Sequence, residues 1–365
     1  MGTARPGWWL LAALSWRWCG AAGPVLRGGT WEVLEGVEVV WEAPANRKQP
    51  LGLLVLFHRG GRSALSWWDA SATCEKCTGM PEEKAIVAAA LARGFAAVAV
   101  GCHDGKSSRW EPEDGPFVAH GLVALTGARR WKGVPLFALG VGCGAGFAAT
   151  ILPKALPPSM AVRGVHLQLM TDQAGLSTSS VTKAFKGGQG VIGAGWHGGA
   201  KATLAAPPAP NVVICHMPRD DSVARAARSI KHAWAQTGAT VLEQRAVPLP
   251  LTDAYFSDSV SGLSRAESAQ IVAMLRVGGY LSGGGFLLVD PQRSAWRSVI
   301  SAPIGRRGGF ELGILRAIAR DSLAPFKSPI AEELNRAYAL SEVSAEFVNA
   351  TLSFFLKGLK DKKAP

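Results

Sequence analysis

A glycine-rich segment at positions 140–144 has the spacing of a turn that exposes a nucleophile. It reads Gly140-Val141-Gly142-Cys143-Gly144 and follows the apolar run 134–139. In a G-x-nucleophile-x-G turn, a strand bends sharply into a helix, and the flanking glycines are required because the bend is crowded. The nucleophile stands at the tip, and the next backbone N–H faces the oxyanion of the intermediate. The tip residue here is Gly142, which has no side chain that could attack a substrate.

Cys143 is the alternative nucleophile in this segment. A shift of one residue would make Val141 and Ala145 its flanking residues, and valine fits poorly where the turn needs a small residue. A reactive thiolate also needs a nearby cation or base, and His58 or His103, at the ends of neighbouring strands, could supply one. The other interpretation is that Cys143 is a small packed residue at the start of a helix.

The elements around this turn alternate between buried strands and helices. Residues 30–44 alternate in polarity and turn at Gly36, which predicts a β-hairpin. Later apolar runs are typical of strands buried on both faces, and helical patterns separate them. We expect strands within 51–58, 95–101, 134–140, 162–170, 211–217 and 239–247, and helices within 82–94, 117–131 and 221–238, with a last helix over 331–357. The order predicts an α/β fold with a mostly parallel central sheet, helices on both faces and an antiparallel N-terminal hairpin.

Several segments together resemble the α/β-hydrolase superfamily. Besides the turn, they are LLVLFHRGG at 53–61, VVICHMPRDDSV at 212–223 and the terminal segment 337–356. Residues 67–83 and 330–340 are also similar to uncharacterised, apparently secreted plant and algal members. The resemblance covers roughly residues 30–357.

The resemblance implies roles for residues of this chain. The oxyanion donors would be the backbone N–H groups of Arg59 or Gly60 and of Cys143. The acid would be Asp220, with Asp221 as the second choice.

The chain departs from the superfamily at two of the three triad positions. The nucleophile position holds Gly142, and no histidine follows the last strand, where the base is expected. Only His232 comes after Asp220, and it lies in the helix directly after the acid loop. Ser341 stands where the base would be expected. Because the nucleophile and base act as a unit, a serine triad is not expected to function here.

The same glycines also match a dinucleotide fingerprint, Gly140-x-Gly142-x-x-Ala145. That fingerprint belongs after the first strand of a sheet, with an acidic residue about twenty positions later. Here at least three strands precede it, and the nearest acid after the following strand is Asp172. Dinucleotide binding is therefore kept as a second alternative only.

The N-terminus has the layout of a secretory signal peptide over residues 1–23, with a basic residue, an apolar run and small residues before the cleavage site. We expect residues 24–365 to form a single α/β-hydrolase-like domain with insertions around 171–207 and 252–335. Cys74 and Cys77, in CEKC, are predicted to form a local disulfide in an oxidising compartment. Asn349 begins an N-glycosylation sequon within a predicted helix.

Bulk composition excludes several classes of protein. The 365 residues are 48% hydrophobic and 18% charged, which suits a folded chain with a sizeable core. The net charge of +12 is scattered along the sequence, so we expect no nucleic-acid partner. No metal site or cofactor is expected, and no apolar stretch after the leader is long enough to cross a membrane.

The sequence therefore predicts a protein of the secretory pathway that lacks serine-hydrolase activity. It would act as a binding or interaction module, with a small-molecule or peptide ligand in the crevice at the carboxyl ends of the strands. The first alternative is an active ester or acyl hydrolase that uses Cys143.

Overall fold

The computed structural model describes residues 26–103, 109–170, 209–301 and 328–361. The predicted leader and the predicted insertion at 171–207 lie outside these ranges, as does the part of the second insertion at 302–327.

Eight strands form one sheet in the described part of the chain. They are β1 (Thr30–Leu34), β2 (Val37–Glu42), β3 (Leu53–Phe57), β4 (Ala96–Val100), β5 (Leu136–Val141), β6 (Val162–Gln168), β7 (Asn211–His216) and β8 (Val241–Arg245). Their order is β1-β2-β4-β3-β5-β6-β7-β8. The hairpin of β1 and β2 is antiparallel and joins β4 antiparallel, while all other pairs are parallel. The predicted α/β fold class is confirmed.

Helices connect the strands and cover both faces of the sheet. They are α1 (Pro81–Ala92), α2 (Asp114–Ala128), α3 (Cys143–Thr150), α4 (Leu152–Ala155), α5 (Asp221–Ala235), α6 (Arg265–Val277), α7 (Trp296–Ser301), α8 (Pro329–Tyr338) and α9 (Val348–Asp361). Two 3-10 helices span Ala64–Trp67 and Pro158–Met160. The apolar side chains of α2, α3 and α5 pack on one face, and those of α1 and α9 pack on the other.

Burial on both faces explains why the central strands are continuous apolar runs. Every residue of β3, β4 and β5 is buried. Successive side chains of β3 enter opposite cores, so that Val55 packs beside α2 and α3 whereas Leu54 packs beside α1 and α9. Each fully buried aliphatic side chain contributes about 1.5–3 kcal/mol.

A third apolar cluster lies outside the sheet, within residues 251–337. It brings together α6, α7 and α8 around Phe256, Leu275 and Trp296. The helix α8 also contacts α1 through a backbone hydrogen bond from Glu82 N–H to the carboxylate of Glu332, at 2.9 Å. This contact connects the third cluster to α1, which packs on the sheet.

The single last helix predicted over 331–357 is wrong, because the chain forms two helices, α8 and α9, with a loop between them. Ala339 ends α8 in the left-handed conformation, at φ 60°, and Ser341 follows at φ 47°. Non-glycine residues enter this region at a cost and break helical geometry. The break lets the segment 340–346 leave the helix and pack against the rest of the chain, where Glu342, Val343 and Ser344 are buried.

Cys74 and Cys77 form a disulfide, with a sulfur–sulfur distance of 2.02 Å. It closes the loop between the 3-10 helix at 64–67 and α1. Both cysteines are buried beside Trp67 and Trp68 in the core shared with α1 and α9. Among the described residues, no helix is both long enough and apolar enough to span a membrane.

His166 on β6 makes the stability of the fold depend on pH. Burial lowers its pKa to about 3, and its Nδ1 has no hydrogen-bond partner. In the unfolded chain the ring takes up a proton near its ordinary pKa of about 6.5. With respect to His166, the free energy of unfolding is therefore highest above pH 6.5, and it decreases as the pH is lowered from 6.5 to 3.

We predict that His166→Leu removes part of this acid sensitivity, roughly 1.4 kcal/mol per pH unit between pH 6.5 and 3. Chemical denaturation followed by circular dichroism at several pH values measures it. The exposed His232 provides the control, since His232→Leu should keep the wild-type dependence. An unchanged slope in His166→Leu would contradict the prediction.

Candidate functional site

The turn between β5 and α3 has the backbone of a nucleophile elbow. Gly142 lies at its tip with φ 58° and ψ −120°, and its N–H donates to the carbonyl of Gln168 at 2.9 Å. A Cβ at Gly140 would lie 2.3 Å from the Gly144 carbonyl oxygen, and one at Gly144 would lie 2.5 Å from the carbonyl oxygen of Phe57. Contacts within the chain thus require both flanking glycines of the turn.

The tip itself is less crowded than its flanks. The nearest atom to a Cβ built on Gly142 would be the Cβ of Arg59, at 3.3 Å. A small side chain would therefore press on the side chain of Arg59 and make an ordinary contact with its Cα, at 3.8 Å. The absence of a nucleophile at this position is a matter of residue type and not of space.

The side chain of Arg59 runs from the β3 loop past the elbow toward the segment between α8 and α9. Its Nη1 donates to the carbonyl of Ser341 at 3.2 Å, and its Nη2 lies 2.9 Å from Oε1 of Glu342. Burial opposes the charge, but the carboxylate of Glu342 and others nearby raise the pKa of Arg59 above its usual value. Glu342 is itself buried and also accepts from Asn335 Nδ2 at 3.1 Å. A fixed ion pair therefore lies beside the position where a serine would act.

Arg59 belongs to a larger buried cluster that contains more carboxyl groups than guanidinium groups. Arg62 donates to Glu332 at 2.7 Å and lies 3.9 Å from Glu83. Burial raises the pKa of Glu83, and burial together with the neighbouring Glu83 raises that of Glu332 well above its usual value. Two guanidinium groups face three carboxyl groups here, so retention of one proton balances the charge.

Asp220 and Ser341 are hydrogen-bonded to each other. The Ser341 hydroxyl donates to Oδ2 of Asp220, while Oδ1 accepts from Val223 N–H at 3.1 Å and from the Ser222 hydroxyl at 2.7 Å. Partial burial opposes ionisation, but these hydrogen bonds lower the pKa of Asp220 below its usual value. The carboxylate caps the N-terminus of α5, and Asp221 lies exposed in the first turn. The side chain that contacts this carboxylate from the segment between α8 and α9 is therefore a hydroxyl.

Cys143 begins α3 directly after the tip and is partly buried against the core. The two histidines considered as its bases make other contacts. Nε2 of His58 lies 3.6 Å from the sulfur of Cys102, and burial lowers the His58 pKa to about 4. The ring of His103 stacks on Phe117 with centroids 3.4 Å apart. Within the described part of the chain, Cys143 makes no hydrogen bond to a histidine.

The predicted oxyanion donors lie on the two sides of the elbow. Arg59 and Gly60 follow β3 in a turn closed by a bond from Arg62 N–H to the Arg59 carbonyl, at 3.2 Å. Cys143 is the first residue of α3, and its backbone lies beside the tip. Phe57 and His58 carry the carbonyl groups against which Gly144 packs, so the two donor segments are held in contact.

Sequence reasoning missed the side-chain role of Arg59 and its partner Glu342. The acidic residues of α1 and α8 stand in first helical turns, where carboxylates complement the helix dipole at the surface. That pattern predicts solvated groups, whereas the fold buries Glu83 and Glu332. The signal available was the run of charged residues inside the otherwise apolar segment 330–340.

The backbone conformation at Gly142 predicts a measurable strain in a variant with a side chain. Gly142→Ala should lower the free energy of unfolding by about 1–3 kcal/mol, because φ 58° with ψ −120° is costly for non-glycine residues. Denaturant unfolding measures the change. Gly127→Ala is the control, because Gly127 lies in α2 with open space around it and should be slightly stabilised. Equal effects of the two substitutions would contradict the elbow geometry.

The buried ion pair predicts a large loss of stability when its cation is removed. Arg59→Met leaves the carboxylate of Glu342 buried without its guanidinium partner, and we expect a loss of about 3–5 kcal/mol. The matched control is Arg293→Met, since Arg293 pairs with Asp290 while 88% exposed and should change stability by less than about 0.5 kcal/mol. Urea unfolding at pH 7 compares the two, and a loss in Arg59→Met no larger than that of the control would contradict the assignment.

Among known proteins, several solved structures are similar to this chain. No protein-family model matches the sequence, and no curated protein matches it. A thermophilic esterase from the Planctomycetes species Thermogutta terrifontis is 16% identical, with a TM-score of 0.40 over 72% of this chain and 96% of the other. A thermostable esterase from Pseudomonas putida is 18% identical, with a TM-score of 0.38 over 66% and 78%.

A hormone-sensitive lipase from a metagenome library is also similar, at 13% identity and a TM-score of 0.38 over 70% of this chain and 87% of the other. The order of the eight strands in the described residues, the antiparallel start and the elbow after β5 are those of the α/β-hydrolase fold.

Proposed function

We propose that this chain is a non-catalytic α/β-hydrolase-fold protein of the secretory pathway that binds a small molecule or peptide in the crevice at the carboxyl ends of its strands. One observation carries the proposal. The tip of the elbow is Gly142, and the neighbouring guanidinium of Arg59 is held by Glu342 and the Ser341 carbonyl. The backbone of a hydrolase elbow is kept, but glycine stands in place of the nucleophile and Ser341 in place of the base.

The chemistry of acyl transfer supports this interpretation. A nucleophile must be activated by a base that a third group orients. Here Asp220 would be the orienting group, but its partner is the hydroxyl of Ser341, which cannot accept a proton at neutral pH. The acid therefore serves as a helix cap and as a partner for Ser341.

Placement in the secretory pathway is supported by the leader-like N-terminus and by the disulfide of Cys74 and Cys77, since disulfides persist in oxidising compartments. It agrees with the resemblance of residues 67–83 to apparently secreted plant and algal proteins. Both the compartment and that relationship are part of the proposal.

Turnover of a panel of p-nitrophenyl esters tests the proposal. We expect the purified protein to hydrolyse them at the buffer rate, and Cys143→Ala to behave identically. An active esterase in the same assay shows that turnover would be detected, and circular dichroism shows that the chain is folded. Hydrolysis above the buffer rate by the wild type would overturn the proposal. Loss of that hydrolysis in Cys143→Ala would identify Cys143 as the nucleophile.

A further inference from the structure

Asn349 begins the N-x-S/T pattern of an acceptor for N-linked glycosylation, and no function considered above uses this pattern. It occurs once in the 365 residues, because the other three asparagines, at positions 46, 211 and 335, are followed two positions later by lysine, valine and alanine. A pattern of three residues also arises by chance. The places of Asn349 and Thr351 in the fold distinguish a used acceptor from a chance match.

The side chain of Asn349 is exposed in the first turn of α9. Its backbone carbonyl accepts from Nη2 of Arg93 at 3.1 Å and from the hydroxyl of Ser353 at 2.9 Å. Its side-chain amide makes no hydrogen bond within the described residues, and the next residue, Ala350, is exposed as well. The amide nitrogen is therefore open to solvent, and its modification would break no contact of the described fold.

Thr351 lies on the opposite side of the same helix and is buried. Residues two positions apart on an α-helix are separated by roughly 200° around its axis, so one faces the core when the other faces solvent. The side chain of Thr351 is 1% exposed, and the neighbouring Val348 and Leu352 belong to the core shared with α1. The Thr351 hydroxyl has no hydrogen-bond partner in the described part of the chain.

The two other threonines that are buried in the described helices do use their hydroxyl groups. Thr126 of α2 donates to the carbonyl of Leu122 at 2.9 Å, and Thr150 of α3 donates to the carbonyl of Gly146 at 2.8 Å. A buried hydroxyl without such a partner is destabilising, and valine has a similar shape without this cost. The fold therefore does not use the hydroxyl at position 351, whereas the acceptor sequence requires one there.

We propose that Asn349 is N-glycosylated, an inference that rests on the proposed placement in the secretory pathway. A transferase of that pathway moves an oligosaccharide from a lipid-linked diphosphate donor to Nδ2 of Asn349. The bond between Nδ2 and C1 of the first sugar forms, and the bond between C1 and the phosphate oxygen breaks. The lipid diphosphate leaves with the electron pair of that bond, and the amide gives up one proton.

The order of events reconciles a buried threonine with an exposed asparagine. The N–H of Thr351 donates to the carbonyl of Phe347 at 2.8 Å and so closes the first turn of α9. Transfer precedes this closure, while the hydroxyl of Thr351 is still accessible to the transferase. Folding then buries the hydroxyl and leaves the sugar in solvent.

Expression of the full chain in a eukaryotic secretory host, with mass spectrometry before and after treatment with peptide-N-glycosidase, tests the site. We expect one glycan on the secreted protein, and Asn349 converted to aspartate when the enzyme removes it. Asn349→Gln and Thr351→Val should lack the glycan, and Thr351→Ser should keep it. Secreted wild type without a glycan would overturn the proposal, as would a glycan that persists in Asn349→Gln.

A second form of the chain separates this site from the proposed compartment. In it, residues 1–23 are replaced by the signal peptide of a secreted host protein. Secretion and glycosylation of this form alone would support the acceptor site and overturn the secretory placement of the natural chain. Secretion of both forms without a glycan would overturn the acceptor site and leave the placement standing.

Urea unfolding of unglycosylated protein from a bacterial host tests the comparison of the threonines. Thr351→Val should leave the midpoint of unfolding unchanged or raise it, because no hydrogen bond is lost. The matched control, Thr150→Val, should lower the midpoint, because its hydrogen bond to Gly146 is lost. An equal decrease in both variants would show that the fold uses the Thr351 hydroxyl and would overturn the structural basis of the proposal.

Discussion

The close approach of the β5–α3 turn to the end of β3 is the constraint on which the site depends. Gly144 packs against the carbonyl groups of Phe57 and His58, and Gly140 packs against the turn itself. No side chain larger than hydrogen fits at either position, so this close approach of the turn to β3 requires glycine at both. This turn also places Gly142 beside Arg59. The elbow thus packs α3 closely against the end of β3, whether or not its tip carries a nucleophile.

A fixed network of hydrogen bonds and charges surrounds this turn. Arg59 reaches across the site to Glu342, and the hydroxyl of Ser341 donates to Asp220. Buried ion pairs of this kind add little net stability compared with apolar packing, but losing one member is costly. The network therefore fixes the loop between α8 and α9 in position.

Sequence patterns predicted the sheet and most of its helices because buried strands and amphipathic helices have distinct periods. They failed at the last helix, where Ala339 and Ser341 adopt left-handed backbone conformations. Neither alanine nor serine predicts such a conformation. Contacts of the 341–346 segment select those conformations, such as Ser344 N–H to Gln168 at 2.8 Å. Periodicity cannot detect a break that tertiary hydrogen bonds impose.

By itself, the sequence determined that the tip of the elbow carries no side chain, because residue 142 is glycine, and that His232 is the last histidine of the sequence. Only the tertiary structure decided what occupies the site instead. Arg59 and Glu342 are 283 residues apart in sequence, and Asp220 and Ser341 are 121 residues apart. Such pairs depend on how the strands are ordered in the sheet, which local sequence does not encode.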